Sequence, residues 1–71
     1  MTTVIKSCES NDYYVSLNIE NRHGNDVYIV KVYLCIDECK CGYPEKETTY
    51  SINDKQKAYE TYKRYIKKYC S

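Results

Sequence analysis

Two segments of the chain alternate apolar and polar residues over lengths typical of β-strands. Period-two alternation places the apolar residues of each strand on one face. The pattern therefore predicts an antiparallel hairpin with one buried face. The apolar positions are Tyr13, Val15, Leu17 and Ile19 in the first segment and Val30, Val32, Leu34 and Ile36 in the second.

The turn between these segments sets which residues face each other. Gly24 and Asn25 both tolerate the positive φ that a two-residue hairpin turn needs. A turn at these positions brings both apolar rows onto one face, whereas a shift by one residue would separate them. The predicted pairs are Ile19–Val30, Leu17–Val32, Val15–Leu34 and Tyr13–Ile36.

A third predicted strand covers residues 46–52, which alternate again. Pairing it with the second strand around Gly42 would place Tyr50 opposite Leu34 and Ile52 opposite Val32, on the same apolar face. The preceding loop contains Pro44, which disfavours a central strand there. Residues 2–7 have weak β character and allow a fourth, N-terminal edge strand.

The sequence period changes near the C-terminus. Asn53 followed three residues later by Gln56 is a capping-box pattern, which predicts a helix over residues 54–69. Lys67 and Lys68 lie in its last turn, where the helix dipole favours positive charge. Apolar residues recur at three- and four-residue steps and predict a stripe that packs on the sheet: Ala58, Tyr62, Tyr65, Ile66 and Tyr69.

The length of 71 residues predicts one domain, residues 1–71. A chain of this size buries only about 60% of its unfolded surface, which leaves room for one layer of sheet and helix. We therefore predict an α+β fold: a three-stranded antiparallel meander, with a possible fourth N-terminal edge strand, and one C-terminal α-helix packed on one face.

Charge and composition predict a cytoplasmic protein. The net charge is +1, but six of the 11 basic residues lie after residue 50. Residues 1–20 contain no apolar run, so we expect neither a signal peptide nor a membrane segment. Ten tyrosines without Trp or Phe, together with many Lys, Asn and Ile, are typical of an AT-rich genome. This suggests a low-GC bacterium, or a phage or mobile element acting in the host cytoplasm.

The five cysteines allow three interpretations. One is a metal site, which needs about four N or S ligands. Another is a disulfide, between Cys39 and Cys41 or between Cys8 and Cys35. The third is free thiols that pack as small hydrophobes. The candidate ligands are Cys35, Cys39 and Cys41, with a fourth from Cys8, Cys70 or His23.

Catalytic motifs are missing from the sequence. There is no glycine-rich phosphate loop and no nucleophile elbow, and His23 is the only histidine. It lies at the opposite end of the hairpin from Cys39 and Cys41, which disfavours a cysteine–histidine nucleophile. We expect a protein that is not an enzyme and needs no cofactor.

A helix on one side of the sheet leaves the other face open as a candidate binding surface. Tyrosine is enriched in protein interfaces because it supplies a large, rigid contact with a polar tip. It is equally a favoured strand residue, so both interpretations stand. The predicted contact residues are Tyr14, Ile29, Lys31 and Tyr33, with Tyr43 and the cysteine loop beside them.

The outline of the chain resembles the anti-CRISPR proteins, which are small phage inhibitors of bacterial defence nucleases. The resemblance depends on the junction between strand and helix, Tyr50-Ser51-Ile52-Asn53-Asp54-Lys55-Gln56 followed by Ala58. The resemblance implies a curled sheet that leads into a capped C-terminal helix. It implies no particular binding residue. The same junction resembles the three-stranded arm-binding domains of phage integrases, whose exposed sheet enters the DNA major groove.

These observations lead to two functional hypotheses. The first is a non-enzymatic inhibitor that occludes a larger protein, such as a defence nuclease. The alternative is a nucleic-acid-binding module that uses the sheet and the basic helix. The open face carries as much acid as base, which disfavours the alternative. Homodimerisation through an edge strand or the tyrosines is a further possibility, and no membrane partner is expected.

Overall fold

A computed structural model describes residues 2–34 and 45–70 of the chain. Its strands form one four-stranded antiparallel sheet in the order β1-β2-β3-β4. The helix packs on one face of this sheet. The elements are β1 (Thr2–Glu9), β2 (Tyr13–Arg22), β3 (Asn25–Leu34), β4 (Lys46–Ser51), a 3-10 turn (Ile52–Asp54) and α1 (Lys55–Tyr69).

The α+β prediction is confirmed, and the possible N-terminal strand is present as β1. The strand is longer than the predicted segment and pairs with β2 along its length, with an irregularity between Val4 and Lys6. The predicted pair Tyr13–Ile36 is wrong, because Tyr13 lies opposite Leu34. Residues 35–44, which include Ile36 and the predicted loop, lie outside the described residues.

The turn between β2 and β3 lies one residue earlier than predicted, at His23 and Gly24. Their φ angles of 53° and 81° are both positive, as a type I′ hairpin turn requires. Leu17 therefore lies opposite Val30, and the prediction of Val32 opposite Leu17 is wrong. The error is two residues in register. Because side chains alternate with period two, both apolar rows still share one face.

The predicted pairing of the third strand is also wrong. Tyr50 lies opposite Tyr28 instead of Leu34, and pairing with β3 begins with Lys46 opposite Val32. Ile52 belongs to the 3-10 turn and is 42% exposed, so it is not a core residue. The prediction assumed a tight hairpin around Gly42. The first pair of β3 and β4, Val32 with Lys46, lies further from Gly42 than a tight turn would place it.

The core lies between the sheet and α1. On the helix side of the sheet, four side chains of the central strands are fully buried, and Ala58 of the helix is buried with them. The absence of a long side chain at Ala58 lets the helix approach the sheet closely. Partly buried tyrosines surround this centre. The buried cluster is Val15, Leu17, Tyr28, Val30, Val32, Ala58 and Tyr62.

Two hydroxyl contacts join the sheet to the helix. The hydroxyls of Tyr50 and Thr61 are 2.6 Å apart, and those of Thr48 and Tyr65 are 3.3 Å apart. Thr61 is buried, although it falls outside the predicted apolar stripe. The contact with Tyr50 gives the buried Thr61 hydroxyl the hydrogen-bond partner that a buried polar group needs.

The helix begins differently from the capping-box prediction. Ser51 caps the 3-10 turn by accepting a hydrogen bond from the Asn53 amide at 3.2 Å. Asp54 then occupies the N-cap of α1 without a side-chain cap bond. The prediction of Asn53 as the helix N-cap is therefore wrong, because one 3-10 turn intervenes. The basic last turn, with Lys67 and Lys68, is confirmed.

Neither helical segment within residues 2–34 and 45–70 combines the length and apolar character needed to cross a membrane.

Candidate binding surface

Two predicted contact residues meet on the sheet face that lies away from the helix. Tyr14 of β2 lies directly opposite Tyr33 of β3. Their ring centroids are 6.0 Å apart with the planes tilted by 42°, within the range of favourable aromatic pairs. Both side chains are half-buried. The pair therefore presents adjoining rings at one end of this face.

Lys31 lies beside the tyrosine pair. It precedes Tyr33 by two positions on β3, so its side chain projects from the same face. It is half-buried and lies opposite Ser16 of β2 and Glu47 of β4. Tyr14, Lys31 and Tyr33 together form the tyrosine surface. Tyr43, the other predicted contact residue, lies outside the described residues.

Ile29 is not available as a contact residue. Its side chain is fully buried although it lies on the face away from the helix. The prediction that this whole face is open is therefore wrong. The face has a closed part around Ile29 and a half-open part at the tyrosine surface.

A salt bridge between nonadjacent strands lies on the closed part of this face. The Arg22 guanidinium on β2 is 3.4 Å from the Glu20 carboxylate and 3.2 Å from the Glu47 carboxylate on β4. Because β3 separates β2 from β4, the contact with Glu47 spans the strand that carries Ile29. Strand twist brings such diagonal positions together, and this contact is not visible in a strand-by-strand sequence pattern.

Two small polar residues of β2 are also buried on this face. Asn18 and Ser16 are 3% and 2% exposed. The Asn18 side-chain amide donates to the Ser16 hydroxyl at 2.9 Å and to the Ile29 carbonyl at 3.3 Å. By the alternation of β2, both belong to the face that was predicted to be open. The sequence signal for their burial was their position in the middle of a central strand. A polar side chain buried there needs a nearby hydrogen-bond partner.

The predicted cysteine site falls largely outside the described residues, which exclude Cys35, Cys39 and Cys41. Within residues 2–34 and 45–70, no three His, Cys, Asp or Glu side chains group closely enough to hold a metal ion. Cys8 and Cys70 have free, half-buried thiols. Cys8 lies opposite Val15, on the helix side of the sheet, away from the tyrosine surface.

Basic residues of α1 and the neighbouring strand β4 lie in two places. Several lysines lie over tyrosine rings at the margin of the core, with Lys46 of β4 at 5.8 Å and Lys68 at 5.4 Å from the Tyr69 ring. A hydrogen bond from Lys46 lowers the pKa of the Tyr69 hydroxyl. On the outer side of the helix, a shallow depression is lined by Glu60, Lys63, Arg64 and Lys67.

Two titratable groups beneath the end of α1 have raised pKa values. Burial, together with a hydrogen bond to Cys8, raises the pKa of the Cys70 thiol to about 11. Burial also raises the pKa of the Tyr62 hydroxyl, and the neighbouring Cys8 and Cys70 add to this effect. Both groups are therefore held neutral in the folded chain at physiological pH.

Under reducing conditions, the free energy of unfolding is expected to fall as the pH rises above 9. The Cys70 pKa is about 11 in the folded chain against an ordinary value of 9.0. In that interval the unfolded chain has released a proton that the folded chain retains. The contribution is fully present below pH 9.0 and is lost as the pH rises through about 11.

Urea unfolding followed by far-UV circular dichroism across this pH range measures the effect. Cys70→Ser is the control, because it removes the thiol but keeps Tyr62. The variant should lose less stability between pH 9 and pH 11 than the parent chain. Identical pH profiles for the two proteins would contradict the assignment.

No family model, curated protein or solved structure matches the chain.

Proposed function

We propose that this chain is a small non-enzymatic binding protein that occludes a larger protein partner through the tyrosine surface. The observation that carries the proposal is the cross-strand pair of Tyr14 and Tyr33, whose ring centroids are 6.0 Å apart on the face without the helix. Aromatic anchors of this kind dominate the binding energy of protein interfaces.

The position of the pair in the sheet supports a binding role. β2 and β3 are the central strands of the sheet. Tyr14 is paired on both sides, with Glu9 of β1 and Tyr33 of β3, whereas Tyr33 is paired with β2 and follows the last β3–β4 pair, Val32 with Lys46. A tyrosine side chain has only two χ angles, and fixing it on binding costs little conformational entropy. Lys31 adds a cation beside the rings, in keeping with the polar rim that surrounds the aromatic core of an interface.

The size of the chain supports a larger partner. A standard interface buries about 800 Å² on each partner. The accessible surface of this chain is 5068 Å², so such an interface would cover roughly a sixth of it. The tyrosine surface would form the centre and neighbouring strand residues the rim. The outline resemblance to phage inhibitors suggests a bacterial defence nuclease as the partner.

Nucleic-acid binding is the second candidate function, and the outer side of α1 favours it. Lys63, Arg64 and Lys67 line one depression there, with Glu60 as the single acid. This surface lies on the opposite side of the sheet from the tyrosine surface, because α1 packs on the other face. Separate substitutions can therefore distinguish the two functions.

Replacing both Tyr14 and Tyr33 with alanine is expected to weaken partner binding by about 10–100-fold while the chain stays folded. Both side chains are half-buried on the face away from the main core, so truncation removes contact area more than core packing. The tagged chain would capture its partner from a low-GC bacterial lysate. Mass spectrometry would identify the partner, and calorimetry with the purified protein would give Kd.

Tyr59→Ala is the matched control, because Tyr59 is also half-buried but packs on the helix side against Tyr28. It should leave Kd within about twofold of the parent value. Equal binding by the double variant, or its unfolding, would overturn the proposal. Binding of mixed oligonucleotides that weakens steeply with salt, and with Lys63→Ala and Arg64→Ala, would favour the second candidate.

A further inference from the structure

Cys8 and Cys70 are brought together from opposite ends of the chain. Cys8 lies on β1 opposite Val15, whose side chain is fully buried beneath α1. Directly paired residues of neighbouring strands project from the same face, so the Cys8 side chain is on the helix side. Cys70 directly follows α1 and packs against the buried cluster. Both thiols therefore lie in the layer between sheet and helix.

Independent contacts hold the two segments that carry these cysteines. The Ser10 hydroxyl, two residues after Cys8, donates to the Tyr69 carbonyl at 2.9 Å. The Tyr13 ring centroid is 4.7 Å from that of Tyr69. The Cys70 amide donates to the Ile66 carbonyl at 2.9 Å. The backbone on both sides of the thiol pair is thus fixed in place.

The two thiols are close enough to interact. Cys8 is among the groups that raise the pKa of the Cys70 thiol, and both thiols are free and half-buried. Neighbouring thiols in a fixed geometry are the condition for a disulfide that needs little backbone movement.

We propose that Cys8 and Cys70 form a redox-responsive pair that a small-molecule disulfide, such as oxidised glutathione, converts into an intramolecular disulfide. One cysteine thiolate attacks the glutathione disulfide, forms a mixed disulfide and releases one glutathione thiolate. The second cysteine thiolate then attacks the protein sulfur and releases the other. Two cysteine thiols are oxidised, and one glutathione disulfide is reduced to two glutathione thiols.

Cys70 acts as the attacking thiolate in one step of this exchange, whichever cysteine reacts first. It attacks glutathione disulfide first, or it attacks the mixed disulfide on Cys8. Each route requires the Cys70 thiolate, whose formation is suppressed because burial raises the pKa to about 11. As long as the pH is below this value, each increase of one pH unit raises the thiolate fraction about tenfold. The rate of that step rises with it.

The bond would restrain the folded architecture as a whole. It would tie edge strand β1 to the end of α1 and close a loop containing nearly the whole chain. Long loops lose the most entropy in the unfolded state. Oxidation is therefore expected to raise Tm by about 10–20 °C, with the tyrosine surface left accessible on the other face.

The test uses the full chain with Cys35, Cys39 and Cys41 replaced by serine, so that only Cys8 and Cys70 remain. The protein is incubated with oxidised and reduced glutathione at about pH 8 and then treated with an alkylating agent. Trypsin releases the two cysteines in separate peptides, residues 7–22 and 69–71. The expected product is these two peptides joined by a disulfide, with the rise in Tm reversed by a reducing agent.

Cys8→Ser in the same background is the matched control and should show neither the linked peptides nor the rise in Tm. If the triple-serine protein does not fold, the same peptide map of the unsubstituted chain gives the answer. Separate glutathione adducts, a dimer linked between chains, alkylation of both thiols, or a different cysteine joined to Cys8 would each overturn the proposal.

Discussion

Replacing Leu17 with alanine is expected to lower the free energy of unfolding by about 3 kcal/mol. Leu17 is fully buried in β2 and lies opposite Val30 in the row beneath α1. The substitution removes buried apolar atoms and leaves a cavity that two paired strands and a helix cannot close. A domain of this size is stable by roughly 4–10 kcal/mol, so the loss is a large share of the total.

Urea denaturation measures this change, and an unaltered m-value would show that both proteins unfold from the same compact state. Ile52→Ala is the matched control, because Ile52 is an apolar side chain that is 42% exposed. Its effect should stay within about 0.5 kcal/mol. Equal losses for the two variants would contradict the position of the core beneath α1.

Replacing Ile29 with alanine is expected to destabilise the chain by about 2–3 kcal/mol. Ile29 projects from the face without a helix but is fully buried, and the bridge from Arg22 to Glu47 spans its strand. Truncation would leave a cavity on this face of the sheet, where the buried Asn18 amide donates to the Ile29 carbonyl. The same urea experiment measures the cost.

Val4→Ala is the control for Ile29, because Val4 lies on the same sheet face but is 52% exposed. It should change the free energy of unfolding by no more than about 0.5 kcal/mol. If Ile29→Ala had an equally small effect, this end of the face would be open. The contact surface would then extend beyond Tyr14, Lys31 and Tyr33.

The residue pattern predicts the faces of the strands better than their pairing. The row containing Leu17 and the row containing Val30 share the core face as expected, because alternation with period two decides only the side on which a side chain lies. The pairing itself depends on the φ angles at His23 and Gly24. Gly24 and Asn25 match the usual composition of such a turn better than His23 and Gly24, so the turn is predicted one residue too late.

The candidate surface shows a similar division. The strand face of Tyr14 and Tyr33 follows from their parity, and the structure adds that they lie directly opposite each other. The burial of Ile29 does not follow from parity. It depends on which distant side chains meet across the sheet, and Arg22 reaches Glu47 from a nonadjacent strand.

The succession of strands and helix, the apolar face of each and the α+β class can be predicted from the residue pattern, because they depend on local periods of two and 3.6 residues. The strand registers, the closed part of the outer face and the approach of Cys8 to Cys70 become visible in the folded chain. Those features depend on the turn geometry and on contacts between residues far apart in the chain, which a local period does not encode.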